Sequence, residues 1–196
     1  MRVLLQALDT GESSLADVPI PTPDRVSLLV ETRATLVSAG TERMIVEFGR
    51  GSLIDKVRQQ PDKVRQVLDK ARVDGIAATM EAVRAKLSAP VALGYCHAGV
   101  IVEAGSQAPF TVGERVVTNG NHAEFVVVPH TLAARIPDGV TDEMAVFTPL
   151  AAIGLQGVRL ADPTLGETVV VYGLGLIGLL TVQLLRANGC RVIGID

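Results

Sequence analysis

The stretch that decides the fold runs from Thr168 to Asp196 and reads TVVVYGLGLIGLLTVQLLRANGCRVIGID. Its apolar run Thr168 to Tyr172 predicts a buried strand, Leu179 to Ala187 predicts a helix, and Arg191 to Ile195 predicts a second buried strand. The loop between the first strand and the helix has the pattern G-x-G-x-x-G and consists of Gly173, Leu174, Gly175, Leu176, Ile177 and Gly178. Strand, glycine loop, helix and strand in this order predict one βαβ unit.

The glycine loop has the features of a dinucleotide site. Gly173 permits a tight turn, Gly175 lets the backbone approach a pyrophosphate, and Gly178 lets the helix pack closely on the strand. The helix N-terminus adds unpaired N–H groups and the positive end of a dipole. Asp196 follows Gly173 by 23 residues, near the ~20-residue offset of the carboxylate that binds the adenosine ribose. Because this carboxylate repels a 2′-phosphate, the loop residues and Asp196 predict a Rossmann-type site for NAD rather than NADP.

This unit is only part of a doubly wound sheet, because a dinucleotide site needs both halves of such a sheet. A helix over Thr141 to Leu160, with Thr141 as its N-cap, precedes it. We therefore expect residues 142–196 to begin a Rossmann domain whose remainder lies in a longer chain. By themselves, residues 1–196 are expected to bind the cofactor weakly and to be inactive.

The chain before residue 142 has a different pattern, typical of β structure. Residues 1–49 contain apolar runs at Val3 to Leu8 and Val26 to Ala34, and three more short strands follow between residues 100 and 128, separated by Gly and Pro. This spacing predicts a small barrel or sandwich over residues 1–141. The overall fold class is thus α/β, with an all-β domain first and the βαβ unit after it.

An insertion interrupts the β domain at about residues 50–89. It carries nine Lys or Arg against five Asp or Glu, a net charge of +4 in a chain of net charge −3. The tetrads DKVR, DKVR and DKAR at 55–58, 62–65 and 69–72 recur every seven residues with an apolar stripe, which predicts short helices, the last over Ile76 to Leu87. We expect this stripe to pack on the barrel or on another subunit of a homo-oligomer, with Ile76, Met80, Val83 and Leu87 facing inward; a free lid is the alternative.

Composition excludes several classes of function. Hydrophobic residues make up 48% and charged residues 20%, as in an ordinary globular protein. A net charge of −3 with 3% aromatic residues gives no reason to expect a nucleic-acid partner. The apolar run Leu174 to Leu185 is too short to span a membrane. Two cysteines, Cys96 and Cys190, suit a reducing compartment, so we expect a cytoplasmic protein.

Four blocks of the sequence resemble the medium-chain dehydrogenase/reductase superfamily, which includes zinc-dependent alcohol and polyol dehydrogenases. The blocks are Ser38 to Glu42 (SAGTE), Gly94 to Gly105 (GYCHAGVIVEAG), Val112 to Val116 (VGERV) and Thr148 to Ala151 (TPLA), followed by the glycine loop. The resemblance covers the chain outside the insertion. It implies a GroES-like β-barrel with a helical insertion, followed by a Rossmann domain and small-molecule substrates.

The sequence departs from this resemblance where the zinc-dependent members hold their metal. Ala39, Tyr95 with Cys96, and Thr148 stand where those members have Cys, His-Glu and Glu. An alanine, a phenol and a hydroxyl do not supply three thiolate, imidazole or carboxylate donors. The resemblance therefore points to the zinc-free subgroup in which such a half is joined to a second, sugar-dehydrogenase-like half. No zinc is expected, and Thr148 is assigned to the cofactor side.

Without zinc, the substrate proton needs another partner. Thr41 matches the position whose hydroxyl relays this proton in the family, and Tyr95 places a phenol where a ligand would stand, so both are candidate catalytic residues. Structural roles in a turn and in the core are the alternatives. Glu42 is expected to be a structural partner. A metal on Cys96 and His97 would need a third ligand from His122 or His130.

Three functions remain open at this point. The first is a zinc-independent, NAD-linked oxidoreductase of a hydroxyl or carbonyl substrate, such as a sugar derivative. The second is an NADPH-dependent reductase of quinones or enones, which Asp196 disfavours. The third is a non-catalytic binding or assembly module within a larger protein.

Overall fold

The computed structural model describes residues 1–51, 67, 69, 72, 73 and 75–196. Its strands are β1 (Arg2–Gln6), β2 (Ser13–Asp17), β3 (Ser27–Thr35), β4 (Val91–Ala92), β5 (His97–Ala104), β6 (Arg115–Thr118), β7 (Phe125–Pro129), β8 (Ala133–Arg135), β9 (Thr168–Tyr172) and β10 (Arg191–Ile195). Its helices are α1 (Ala39–Arg50), α2 (Ile76–Ser88), α3 (Asp142–Ala145), α4 (Thr148–Ala161) and α5 (Leu176–Ala187), with a 3₁₀ turn at His130–Leu132. Packing divides the chain into two compact units, each described by itself below.

The first unit comprises Met1–Ile20, Val37–Gly94 and Asn121–Glu124. Its antiparallel sheet has the order β2-β1-β4, and Val3 also forms a bridge to Ala123. Helix α1 approaches this sheet at Gly49, where a Cβ atom would stand 2.9 Å from the carbonyl oxygen of Ala7. Only a glycine fits there, so α1 lies directly against the strand end.

Helix α1 corrects the prediction that residues 1–49 are β structure throughout. Strands β1 and β3 match the predicted apolar runs within two residues at each end, but Ala39–Arg50 is helical. Ser38 precedes the helix, and its backbone N–H donates to the Glu42 carboxylate at 2.8 Å. This local hydrogen bond stabilises the first turn, which β-propensity alone does not reveal.

Helix α2 confirms the last predicted helix of the insertion. Its predicted inner face is wrong at Met80, which is 49% exposed, whereas Thr79 is 2% exposed. The Thr79 hydroxyl donates to the carbonyl oxygen of Gly75 at 2.9 Å, so the polar group is satisfied inside the helix and its methyl group is free to pack. The repeats at 55–58 and 62–65, most of 69–72, and the side chains of residues 76 and 87 lie outside the described part of the chain.

The second unit comprises Pro21–Leu36, Tyr95–Gly120 and Phe125–Asp196. Its five-stranded antiparallel sheet has the order β7-β3-β5-β6-β8. The side chains of Leu28, Val30, Ile101 and Val116 are fully buried and form the core of this sheet. Together with the helices and the parallel strand pair of the same unit, this sheet confirms the predicted α/β fold class.

Strands β9 and β10 form a separate parallel pair in the same unit, with the register Val169 to Val192. Helices α4 and α5 pack together, and the inward residues Val169, Val171 and Val192 join a core with Leu185. The opposite face is open, and its four apolar side chains, Val170, Tyr172, Ile193 and Ile195, are 44–85% exposed. The prediction of two fully buried strands is therefore wrong, because described helices cover one face only.

The predicted helix from Thr141 to Leu160 is divided into α3 and α4. Thr141 is the predicted N-cap, and its hydroxyl accepts the N–H of Met144 at 3.3 Å. Pro149 lacks an N–H group and is tolerated only in a first turn, so a new helix begins at Thr148. The predicted boundary between residues 141 and 142 stays a prediction. None of the described helices is both long and apolar enough to cross a membrane.

Candidate functional site

The glycine loop between β9 and α5 has the geometry that its sequence predicts. Gly173 has φ +92°, a backbone conformation that other residues adopt only with strain. A Cβ atom at Gly178 would overlap the carbonyl oxygen of Gly173, so only a glycine allows the helix to start this close to the loop. Gly175 is the N-cap of α5, and open space surrounds the place of its missing side chain. A group can therefore approach this backbone closely.

Asp196 is directly connected to the same loop. Its Oδ1 accepts the backbone N–H of Leu174 at 2.9 Å, and the N–H of Gly173 donates to the carbonyl oxygen of Ile195 at 2.7 Å. These bonds hold the end of β10 beside the loop. The exposed carboxylate keeps its second oxygen for another donor. A helix N-terminus, a backbone without side chains and a nearby carboxylate fit the phosphate and ribose parts of a dinucleotide.

Ala39, Tyr95 and Thr148, which stand where the zinc-dependent members hold their metal, do not supply a zinc site. Ala39 and Thr148 are exposed, at the starts of α1 and α4, and Tyr95 is half-buried just before β5. None of the three carries a thiolate, an imidazole or a carboxylate. Among the described residues, no group of three His, Cys, Asp or Glu is placed to hold a metal. The donors present thus do not fit a catalytic zinc.

His97, the histidine beside Cys96, is a buried residue of the sheet. Its Nε2 lies 2.9 Å from the Thr32 hydroxyl, and its Nδ1 lies 2.9 Å from the Thr118 hydroxyl. The Thr118 oxygen also accepts the backbone N–H of Gly120 at 3.0 Å. Because both ring nitrogens already have partners, a metal on His97 would have to break one of these bonds.

The candidate catalytic residue Thr41 lies in the first turn of α1 and is exposed. Its neighbour Glu42 is buried, and its Oε2 lies 3.0 Å from Nε2 of His122. Sequence reasoning missed this pair, because 80 positions separate the two residues and no motif connects them. Thr41 belongs to the first unit, and Tyr95, Thr148 and the glycine loop belong to the second. The roles of Thr41, Tyr95 and Thr148 stay predictions.

Several curated proteins similar to this chain are named as dehydrogenases. The chain is 37% identical over 109 residues to D-guloside 3-dehydrogenase of Escherichia coli, a match that covers 53% of this chain and 31% of that protein. It is 28% identical over 134 residues to (R,R)-butanediol dehydrogenase of Bacillus subtilis, covering 54% of this chain and 39% of the relative. The matches thus span between three and four tenths of these relatives. No family model matches the chain.

Solved structures similar to this chain share its fold over nearly its whole length. Galactitol-1-phosphate dehydrogenase of Escherichia coli has a TM-score of 0.72 and 20% identity, covering 100% of this chain and 56% of that one. The quinone oxidoreductase of Thermus thermophilus, solved also with NADPH, has a TM-score of 0.66 and 20% identity, covering 99% and 52%. Relatives and neighbours are medium-chain dehydrogenases, chiefly of alcohols and polyols, so the predicted resemblance to the medium-chain dehydrogenase/reductase superfamily is confirmed.

Proposed function

We propose that this chain is part of a zinc-independent, NAD(H)-linked oxidoreductase that interconverts a hydroxyl and a carbonyl group on a polyol or sugar derivative. The observation that carries this proposal is the hydrogen bond between the Asp196 carboxylate and the N–H of Leu174 in the glycine loop. It joins the candidate ribose-binding carboxylate to the backbone that would bind the pyrophosphate. The relatives named for D-guloside and butanediol support the substrate class.

Each part of the chain has a role in this proposal. The N–H groups at the start of α5, from Leu176 to Gly178, hold the pyrophosphate, and the second oxygen of Asp196 accepts from the ribose hydroxyls. The bound dinucleotide supplies a hydride acceptor or donor. The Thr41 hydroxyl and the Tyr95 phenol hold or relay the substrate proton, and Thr148 lines the cofactor side. Zinc independence follows from the missing donors at these positions.

The open face of β9 and β10 supports a longer protein. Four apolar side chains stand exposed there, and a parallel sheet is stable when both faces are covered. We expect further strands and helices of the same protein to cover this face and to complete the cofactor site. The cytoplasm is the proposed location, because Cys96 and Cys190 are both free thiols.

Calorimetric titration of the natural full-length protein with NAD⁺ and NADP⁺ tests the proposed function. NAD⁺ should bind at least about tenfold more tightly, because Asp196 opposes the 2′-phosphate. Asp196→Ser removes the charge and should abolish this preference. Asp138→Ser is the matched control, since Asp138 is also exposed and lies in a turn outside the loop.

Three results would contradict the proposal. Failure of the wild type to bind either dinucleotide would favour a non-catalytic module. Tighter binding of NADP⁺ than of NAD⁺ would favour a reductase of quinones or enones, and an unchanged preference in Asp196→Ser would remove the role given to this carboxylate.

A further inference from the structure

The pair Glu42 and His122 has no part in the function proposed so far. Both side chains are nearly buried, at 7% and 10% exposure. Glu42 lies on α1 directly after Thr41, and His122 lies in the segment Asn121–Glu124 of the same unit. A buried carboxylate with a histidine partner is a weak source of stability, because both groups lose their hydration. This cost makes another role for the pair worth testing.

The hydrogen bonds of Glu42 join it to Ser38 and His122. Its Oε1 accepts the backbone N–H of Ser38 at 2.8 Å, and its Oε2 faces Nε2 of His122 at 3.0 Å. An ionised carboxylate accepts through both oxygens and donates through neither. Beside an ionised Glu42, Nε2 of His122 therefore carries the hydrogen of this bond.

In that tautomer of His122, the other ring nitrogen, Nδ1, presents its lone pair. In a neutral imidazole, one nitrogen donates and the other presents a lone pair. Within the described part of the chain, Nδ1 of His122 has no hydrogen-bond partner, and no fully buried side-chain nitrogen or oxygen lacks one. Nδ1 therefore reaches solvent-accessible space although the ring around it is almost buried.

Two backbone hydrogen bonds hold His122 in place. The N–H of His122 donates to the carbonyl oxygen of Leu93 at 2.7 Å, and its carbonyl oxygen accepts the N–H of Leu4 at 2.9 Å. The ring covers Gly94, where a Cβ atom would stand 2.8 Å from Cγ and Cδ2 of the imidazole. Gly94 immediately precedes Tyr95, as Glu42 immediately follows Thr41. Glu42 is thus adjacent in the chain to Thr41, and the His122 ring covers the glycine that precedes Tyr95.

Glu42 is the carboxylate that faces His122, because the other charged side chains described here pair elsewhere. Glu124, two residues away, is bound by Arg2 through the backbone N–H at 2.8 Å and the guanidinium at 2.7 Å. These bonds, first the one from the backbone of Arg2, lower the pKa of the Glu124 carboxyl. Two further charged residues of α1, Arg43 and Glu47, pair with each other on its exposed face at 2.7 Å.

The geometry points to His122 as the base that accepts the substrate proton and to Glu42 as its positioning residue. When the substrate alcohol is oxidised, its C–H hydrogen leaves with the bonding electron pair to the oxidised nicotinamide, and its O–H proton goes to Nδ1 of His122 while the C=O bond forms. Glu42 fixes the tautomer and balances the charge of the imidazolium, as a carboxylate does in a catalytic triad. The inference rests on the proposed oxidoreductase function.

The first test measures the tautomer directly and needs no catalysis. Long-range ¹H–¹⁵N spectra of the natural full-length protein, with NAD⁺ bound and without it, should show neutral His122 with its hydrogen on Nε2. His122→Gln identifies the signal. Glu42→Ala should lower the share of this tautomer. An Nδ1–H tautomer in the wild type would overturn the inference.

The second test measures the rate of NAD⁺ reduction with a panel of polyols, vicinal diols and glycosides. His122→Gln should lower kcat about 100-fold with little change in KM, because proton transfer contributes about 10²–10⁴-fold to such rates. Added imidazole should restore part of the rate. Glu42→Gln should lower kcat less. His130→Gln is the matched control and should leave kcat unchanged, since Nδ1 of His130 bonds the carbonyl oxygen of Val26 at 2.8 Å.

The outcomes separate this inference from the proposed function. A wild type that binds no dinucleotide and oxidises none of these alcohols overturns the proposed function and the inference with it. A wild type that is active while His122→Gln keeps the wild-type kcat overturns the inference alone. His122→Gln can also lose kcat because the variant is unfolded or aggregated, which circular dichroism shows and added imidazole does not relieve. In that case the tautomer measurement on the wild type decides the inference.

Discussion

At the scale of single residues, close backbone contacts explain the glycines of the loop. Gly178 is required by sterics, because any side chain would meet the carbonyl oxygen of Gly173. Gly157 on α4 is also a helical glycine, but apart from its own helix backbone no atom of the described residues lies within 4 Å of the place where its Cβ would stand, so nothing steric requires it. The two positions therefore separate a sterically required glycine from one that only weakens its helix.

Replacing each of these glycines by alanine should give changes of opposite sign. Gly178→Ala should lower the free energy of unfolding by about 2 kcal/mol, as overpacking does, and weaken NAD⁺ binding because the loop must shift. Gly157→Ala should raise the free energy of unfolding by about 0.5–1 kcal/mol, since alanine is the better helix former. Denaturant unfolding measures both. Equal stability of the two variants would show that the loop absorbs the added methyl group without cost.

At the scale of elements, Arg115 joins the sheet of the second unit to the helical region that follows it through side-chain hydrogen bonds. Arg115 on β6 donates from Nε and Nη2 to Oδ1 of Asp142 at 3.1 and 2.8 Å, and from Nη2 to the carbonyl oxygen of Val140 at 2.8 Å. These bonds hold the start of α3 beside the strand. The planar guanidinium matches both acceptors at once, which an ammonium group does not.

Arg115→Lys should therefore cost about 1 kcal/mol in the free energy of unfolding, because the lysine keeps the charge but loses the fork of hydrogen bonds. Arg43→Lys is the control. Arg43 pairs with Glu47 on an exposed face, where an ion pair contributes little to stability because water and salt screen it. Thermal unfolding measures both variants. An Arg115→Lys variant as stable as the wild type would show that the charge alone holds α3.

At the scale of the whole molecule, the proposed function needs groups other than a metal for its acid–base chemistry. The zinc places hold Ala39, Tyr95 and Thr148, and both ring nitrogens of His97 are engaged by threonine hydroxyls. In the inferred mechanism, the Glu42 and His122 pair, 3.0 Å apart, would supply acid–base chemistry that needs no metal. The inferred proton acceptor, His122, would therefore take the place of the metal that the missing ligands exclude.

Metal analysis of the natural protein, purified without added zinc, should accordingly find no stoichiometric zinc, and chelator treatment should leave NAD⁺ binding unchanged. The physical reason is the lack of three thiolate, imidazole or carboxylate donors around one open position. One zinc per chain with Cys96 or His97 among its ligands would contradict this expectation. Cys96→Ser then identifies whether the thiol is a ligand.

The sequence alone determined those features that depend on local physics. The strand, loop and helix from Thr168 to Ala187 could be predicted because glycine spacing and β-branched runs act over a few residues. The same is true of the N-cap at Thr141. Helix α1 was not predictable in this way, since its first turn depends on a hydrogen bond between Ser38 and Glu42 in a β-rich stretch.

Only the tertiary structure decided which distant residues meet. Glu42 and His122 are 80 positions apart, and no periodicity or motif joins them. The burial of β9 and β10 could likewise not be predicted from the sequence, because apolar strand residues such as Val169 and Val170 have the same character. In the described residues, α4 and α5 cover the face with Val169 and leave the face with Val170 exposed. Local patterns specify elements, but proximity and burial are set by the packing of segments far apart in the chain.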